Sequence, residues 1–201
     1  MEKMCYFIRH GYAVHNQLFW DIGTRAYTEF RDTNLCQEGF AQAKNLNKNW
    51  PEINNIELVC VSPCVRTLET ALFVFQNHKV PLIAKDFLVE FPIGGSDICN
   101  QRKDVEDLKC LYPVFDFSQI KDDTLKWDGN DESNDSLNNR INEMLDWIGK
   151  RPEKNIAIVS HSSFIGMFKD GLIGDENNQL EHCYPYNIKI NYDENGKFIS
   201  K

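Results

Sequence analysis

Short, strongly apolar segments set the fold that this chain can adopt. Residues 5–8, 58–61 and 156–159 are apolar runs rich in β-branched or aromatic side chains, and residues 80–84 form a plausible fourth. Runs of this kind, without polar alternation, are typical of central strands in a parallel sheet, which are buried on both faces. The sequence therefore predicts strands at these four positions.

Segments with helical periodicity lie between and after the predicted strands. Residues 38–50, 64–75 and 137–148 each place apolar side chains three or four positions apart, on one face of a helix. Alternating strands and helices favour βαβ units, so we expect a three-layer α/β/α fold with a mostly parallel central sheet and helices on both faces. Residues 188–192 and 197–199 flank a polar turn, which predicts a hairpin at the sheet edge.

The length of 201 residues fits one domain, and we expect residues 1–201 to form a single unit. The alternation breaks at about residues 91–135, which are rich in proline, glycine and acidic residues. We interpret this region either as a solvated connection or as a small, partly helical cap inserted over the active site, since long insertions are often lids. The acidic side chains that we expect to face water are Asp122, Asp123, Asp128, Asp131, Glu132 and Asp135.

The charge of the chain excludes several classes of partner. A formal net charge of −8 argues against binding nucleic acid or an anionic membrane surface, both of which attract basic faces. No apolar run approaches the roughly 20 residues of a membrane span, and the N-terminal apolar stretch is too short for a signal peptide. We therefore expect a cytoplasmic protein whose seven cysteines are reduced thiols rather than disulfide or metal-site residues. The sequence assigns no oligomeric state.

Cationic and imidazole side chains follow three of the predicted strands. Arg9 and His10 come after the first strand, Arg66 opens the helix after the second, and His161 follows the late strand, with Ser162 opening the next helix. Ligands bind at the carboxyl ends of strands in such sheets, and paired guanidinium groups fit the oxygens of a phosphoryl group. Amides at the helix start near Ser162 would bind the same anion.

Five motifs in order along the chain resemble those of the histidine phosphatase (phosphoglycerate mutase-like) superfamily. They are FIRHGYAVHN, LCQEGFAQA, VSPCVRTLETA, LVEFPIG and VSHSSFI, with Cys36 where the family usually has Thr and Ser162 where Gly is commoner. The segments CNQR and YPVFDF look most like the plant and fungal phosphoglycerate mutase-like branch. The resemblance implies that His10 attacks phosphorus and becomes a phosphohistidine. It also implies that the phosphoryl oxygens are bound by Arg9, Arg66 and His161, with Asn16 as an added donor.

The same resemblance makes Glu90 the acid that protonates the leaving alcohol and then assists the attacking water. Asp97 and Glu132 are alternative acids if residues 91–135 fold differently. We expect no metal and no cofactor, because cationic side chains neutralise the phosphoryl charge. Glu69, one helical turn beyond Arg66, could supply a compensating carboxylate for that guanidinium.

The reaction class follows from the residues after Glu90. The family's mutases resemble each other in a basic segment at this point, whereas FPIGGSDICNQ contains no cation before Arg102. We favour a phosphatase acting on a small phosphorylated metabolite, with a cofactor-dependent phosphoglycerate mutase as the alternative. A catalytically silent protein that binds a phosphorylated ligand is the second alternative.

The sequence leaves two possible roles open for several other residues. His15 is either a pocket residue or, as we favour, a local hydrogen-bonding side chain beside Asn16. We interpret His78 and His182 as solvated. Three aromatic residues either line the substrate pocket or pack in the core, with core packing expected for at least two of them: Phe19, Trp20 and Tyr27.

Overall fold

A six-stranded sheet forms the centre of the molecule, with strand order β3-β2-β4-β1-β5-β6. The computed structural model describes residues 1–120, 125, 127–168 and 180–200. β1, β2, β3 and β4 are mutually parallel, and β5 and β6 continue the sheet as an antiparallel hairpin at its edge. The strands are β1 Glu2–Arg9, β2 Leu58–Val61, β3 Leu82–Ala84, β4 Asn155–Ser160, β5 Pro185–Tyr192 and β6 Phe198–Ser200.

Helices cover both faces of the sheet, which confirms the predicted α/β class. They are α1 Val14–Ile22, α2 Arg25–Thr28, α3 Gln37–Asn49, α4 Val65–Val74, α5 Val105–Leu111, α6 Asn134–Gly149 and α7 Ser162–Phe168. Within the described residues, no helix is both long enough and apolar enough to span a bilayer.

Successive residues of each central strand pack into different cores, as expected from the two-residue period of a strand. Tyr6 and Ile8 of β1 belong to the cluster that α3, α4 and α5 cover, whereas Cys5 and Phe7 belong to the cluster that α6 and α7 cover. β2 and β4 alternate in the same way. The unbroken apolar runs in the sequence are therefore strands buried from both sides.

Strand register brings the functional segments together. β1 and β4 are adjacent and parallel, with Arg9 opposite Ser160. His10 and His161 follow directly and lie with their ring centroids 5.3 Å apart. Two segments far apart in the sequence thus end at one point on the carboxyl edge of the sheet.

One part of residues 91–135 packs in the hydrophobic core, and another part packs beside the carboxyl edge of the sheet. Val105 and Leu108 of α5 are buried in the same cluster as Phe115 and Phe117, while the short 3-10 turn Ile98–Asn100 lies against α2. Glu132 differs from the solvated acid that we expected, because its side chain is 4% exposed and is paired with Arg140. Asp128, Asp131 and Asp135 are exposed as expected, and Asp122 and Asp123 lie outside the described residues.

Candidate active site

Arg66 is the centre of a buried hydrogen-bond network at the carboxyl edge of the sheet. Its side chain is 1% exposed, and its guanidinium donates to four groups from three segments. The acceptors are His10 Nε2 (3.2 Å), Cys99 O (2.8 Å), Asn100 Oδ1 (2.8 Å) and His161 Nδ1 (3.0 Å). The planar fork is therefore fixed in one orientation by neutral partners, so its positive charge is not neutralised within the network.

Neither Asp32 nor Glu69 makes a hydrogen bond to the Arg66 guanidinium; each accepts from other groups near it. Asp32 Oδ1 accepts from the Val65 amide at the start of α4 (2.8 Å). Glu69 accepts instead from the Asn34 side chain and the Leu35 amide, at 2.6 and 2.7 Å. The expectation that Glu69 compensates Arg66 is wrong, because its carboxylate is turned toward the loop before α3.

His10 presents one nitrogen to the cavity and is held by the other. Nδ1 lies 2.7 Å from Gly11 O, an acceptor, so Nδ1 carries the proton. Nε2 is then the unprotonated nitrogen and faces the Arg66 N–H. Burial, followed by the charges of Arg66 and the neighbouring His161, lowers the pKa of His10 well below 6.5. The ring is therefore neutral and nucleophilic near pH 7.

The motif residues that flank His10 explain how this geometry is held. The Gly11 amide donates to Thr70 Oγ1 of α4 at 2.9 Å, which ties the His10 loop to the helix that carries Arg66. A Cβ on Gly11 would lie 2.7 Å from Gly39 O, and one on Gly39 would overlap the Tyr12 carbonyl. Both motif glycines thus permit a close backbone approach between this loop and α3.

His161 lies behind Arg66 and does not line the cavity. It is fully buried, its Nδ1 accepts from Arg66, and its Nε2–H donates to Ser62 Oγ at 2.8 Å. Burial and the Arg66 charge lower the pKa of His161 well below 6.5. The expectation that His161 binds phosphoryl oxygens directly is therefore not supported, because both ring nitrogens are occupied by protein groups.

Arg9 and Asn16 provide further donors to the cavity. Arg9 donates through one terminal nitrogen to Leu180 O at 2.7 Å, while its buried Nε has no partner among the described residues. Asn16 Oδ1 accepts from the Ala13 amide at the start of α1 (3.1 Å), which leaves its Nδ2 amide available to a bound anion. Both residues line the cavity.

Glu90 occupies the position expected for an acid, but it also takes the amides that we assigned to an anion. Its carboxylate accepts from the backbone N–H groups of Phe91 (2.8 Å), Phe164 (2.9 Å) and Ser163 (3.3 Å). The prediction that amides at the start of α7 bind substrate is therefore wrong for these two residues of the helix. Ser162 itself lines the cavity. Burial raises the pKa of Glu90 above 4.5, although the amides oppose this effect.

Arg140 holds the backbone that leads into Glu90. It donates to Phe87 O (3.0 Å) and Val89 O (2.8 Å), and its guanidinium lies 5.2 Å from the centre of the Phe164 ring. The Glu132 carboxylate binds the opposite side of the guanidinium, at 2.6 and 2.7 Å. Glu132 therefore supports the loop and does not line the cavity, whereas Asp97, the other alternative acid, does.

Sequence reasoning missed the positions of three site residues. His182 is not an independent solvated residue: its Nδ1–H donates to His10 O at 2.6 Å, and its ring is 5.5 Å from His10. Burial and the Arg9 charge lower the pKa of His182 to about 4. Cys99 and Asn100 had only the resemblance of CNQR to the plant and fungal branch as a signal, although they hold Arg66.

Two connected spaces make up the site. The inner cavity has a volume of about 210 Å³ and polar walls that include Arg9, His10, Arg66 and Glu90. His15 also lines the inner cavity, and its Nδ1 forms a hydrogen bond with Thr33 Oγ1. It is therefore both a pocket residue and a local hydrogen-bonding side chain. The outer pocket, of about 1040 Å³, shares Arg9, Asn16, Tyr27, Phe91, Ser162 and Ser163 with the inner cavity. Within the described residues, no His, Cys, Asp and Glu side chains form a metal-binding group of three.

The fold and site define an α/β protein with a buried pocket that contains two arginines at the carboxyl edge of its sheet. Residues 5–197 match the family model of the histidine phosphatase superfamily (branch 1). The chain belongs to this superfamily, as its five motifs predicted.

Curated relatives and a solved structure agree with this assignment. Phosphoglycerate mutase-like protein 1 of Arabidopsis thaliana is 30% identical, over 81% of this chain and 69% of that protein. A protein of Schizosaccharomyces pombe named as a probable phosphatase is 28% identical, over 84% of this chain and 78% of its own length. The alpha-ribazole phosphatase from Shigella flexneri has the same fold, with a TM-score of 0.62 and 21% identity over 98% of this chain and 94% of that one.

Proposed function

We propose that this chain is a metal-independent phosphomonoesterase that hydrolyses a small phosphorylated substrate through a phosphohistidine at His10. The observation that carries the proposal is the pairing of His10 Nδ1–H with Gly11 O, which leaves Nε2 unprotonated in a cavity beside Arg66 and Arg9. A neutral imidazole next to two guanidinium groups is suited to attack a phosphoryl group whose oxygens those cations hold.

In the first step, the Nε2 lone pair of His10 attacks phosphorus and the bond from phosphorus to the ester oxygen breaks. The leaving oxygen takes the proton of Glu90, whose raised pKa keeps that proton available at higher pH than in an exposed carboxylic acid. As substrate enters, a phosphoryl oxygen replaces His10 Nε2 as the acceptor of the Arg66 Nε–H, and it also accepts from Arg9 Nε and Asn16 Nδ2. His161 acts through Arg66 by fixing its orientation.

In the second step, water attacks the phosphorus of the phosphohistidine and the bond from phosphorus to nitrogen breaks. The Glu90 carboxylate accepts a proton from the water, and inorganic phosphate leaves. The enzyme is then back in its starting state, with Glu90 protonated and His10 neutral.

The surroundings of the inner cavity support hydrolysis over the mutase alternative. A phosphoglycerate mutase must bind a second anionic group, yet Arg102 is directed away to Asp86, at 2.8 Å. Of the described residues that line the inner cavity, only Arg9 and Arg66 carry a full positive charge. Isomerisation of 3-phosphoglycerate stimulated by 2,3-bisphosphoglycerate, at a rate above that of phosphate release, would support the mutase instead.

The test is hydrolysis of para-nitrophenyl phosphate by wild type, His10→Ala and His78→Ala, with EDTA and with vanadate. We expect activity that survives EDTA, is inhibited by vanadate and is lost only in His10→Ala. Acid-labile, base-stable radiolabel on wild type after rapid quenching would identify phosphohistidine. Wild type that is inactive here and with 3-phosphoglycerate plus bisphosphoglycerate would favour the silent binding protein.

A further inference from the structure

The outer pocket is lined by aromatic side chains that are held in place before substrate arrives. Phe19 and Tyr27 stack with an interplanar angle of 15° and ring centroids 5.3 Å apart. Trp20 Nε1 donates to Tyr12 Oη at 2.9 Å, and that hydroxyl donates to Asn16 O at 3.0 Å. The outer pocket therefore has an aromatic wall whose rings are held by contacts within the protein.

One face of α1 serves both parts of the site. Asn16, Phe19 and Trp20 are three and four residues apart, so their side chains lie on the same side of the helix. Asn16 reaches both the inner cavity and the outer pocket, whereas Phe19 and Trp20 line the outer pocket alone. A substrate held by its phosphoryl group against Asn16 would thus extend along this aromatic face.

The exposure of these side chains is unusual for core residues. Trp20 is 79% exposed, and Met167, which also lines the outer pocket, is 44% exposed. Large apolar side chains gathered at the mouth of a cavity mark a ligand-binding surface. This result contradicts the expectation of core packing for at least two of the three aromatic residues, since Phe19, Trp20 and Tyr27 all line the outer pocket.

The volumes of the two spaces indicate which part of the substrate each one can hold. The inner cavity, at about 210 Å³, is smaller than the roughly 300–1,000 Å³ of ordinary small-molecule sites, so the alcohol part of a substrate must occupy the outer pocket. Of the described residues that line the outer pocket, only Arg9 carries a full positive charge, and it also faces the inner cavity. The wall thus fits an uncharged, flat, apolar group better than a second anionic group.

We propose that the preferred substrates are phosphate monoesters of alcohols that carry an aromatic ring, which stacks against the wall formed by Phe19, Trp20 and Tyr27. This proposal rests on the proposed phosphatase activity of the same site. Aromatic stacking adds to the effect of apolar burial and should appear as selectivity in kcat/KM.

The test compares 2-phenylethyl phosphate with n-propyl phosphate, because the two leaving alcohols have similar acidity and differ in the ring. We expect wild type to prefer the aromatic ester by at least about tenfold in kcat/KM. Trp20→Ala and Tyr27→Leu should each reduce that ratio several-fold. Tyr184→Leu, which alters an exposed aromatic residue outside both spaces, should retain the wild-type ratio.

Hydrolysis of both esters with equal kcat/KM by wild type would overturn the aromatic preference while leaving the phosphatase proposal intact. A preference that Trp20→Ala and Tyr27→Leu both leave unchanged would overturn the role of this wall. Inactivity toward both esters and toward para-nitrophenyl phosphate would overturn the phosphatase proposal and this one together.

Discussion

Arg66 Nε donates to His10 Nε2 across 3.2 Å, so the cation that would stabilise the phosphoryl group already contacts the nitrogen that would attack it. This contact engages the lone pair of His10 and disfavours protonation of the ring. Because Cys99, Asn100 and His161 hold the rest of the guanidinium, the arginine can exchange one acceptor for another without moving.

Arg66→Lys should reduce kcat/KM by roughly 10²–10³, because an ammonium group cannot reach all four acceptors or bind phosphoryl oxygens as a fork. The measurement is steady-state hydrolysis of para-nitrophenyl phosphate, with circular dichroism to establish folding. Arg25→Lys, at an exposed arginine paired with Glu29, is the matched control and should retain wild-type activity. Wild-type activity in a folded Arg66→Lys protein would contradict the assigned role.

Glu90→Gln should slow the hydrolysis of phenyl phosphate by about 10² or more and that of para-nitrophenyl phosphate less, since the better leaving group needs less protonation. The acid must be protonated, so wild-type activity should fall as pH rises through the pKa of Glu90, which burial places above 4.5. The variant should lose this alkaline decline. Equal losses for both esters would argue against Glu90, and the same pattern in Asp97→Asn would assign the acid to that residue.

Acid should destabilise the fold through its buried histidines. The pKa values of His10, His15 and His161 are lowered from 6.5 by burial and nearby arginines. Below pH 6.5 the unfolded chain therefore binds protons that the folded chain excludes. Each histidine should lower the free energy of unfolding by about 1.4 kcal/mol per pH unit in this range.

Urea unfolding between pH 6.5 and 5 measures this slope. His15→Asn should reduce it by the contribution of one proton, because the pKa of His15 is lowered to about 2. The same slope in wild type and variant would show that His15 is protonated in the folded protein.

Arg140→Met should lower the free energy of unfolding by about 3 kcal/mol, because it leaves the nearly buried Glu132 carboxylate without its partner. Arg25→Met, at an exposed ion pair, should change it by at most about 1 kcal/mol. The double variant Arg140→Met with Glu132→Gln should be more stable than Arg140→Met alone. A double variant that is less stable than the single one would contradict the pairing.

The sheet and the helices around it were predictable because each central strand is buried on both faces and therefore appears as an unbroken apolar run. Residues 58–61 coincide with β2, and residues 156–159 lie within β4. The predicted edge hairpin is also confirmed. Periodicity could not show that residues 105–120 contribute to the core. Their apolar side chains are divided between the short helix α5 and the irregular segment after it, and only tertiary contacts reveal that Phe115 and Phe117 are buried.

The convergence of Arg9, His10, Arg66 and His161 followed from strand order, since parallel strands end at one edge of the sheet. The sequence could not reveal which of the site's hydrogen-bond donors and acceptors would pair with other protein groups. His161 is occupied by Ser62 and Arg66, and the amides of α7 are occupied by Glu90, because these contacts depend on side-chain orientation. The direct roles in catalysis remain predictions for the experiments above.

The placement of β4 between β1 and β2 has a consequence for how the candidate site forms during synthesis of the chain. The two earlier strands, which lead into His10 and toward Arg66, do not pair with each other, and in the sheet they are bridged by residues 155–160. A nascent chain that ends before this segment therefore lacks the middle of its sheet. Such long-range pairing forms late in folding, so the chain acquires the pocket around His10 and Arg66 only when the C-terminal quarter has been added.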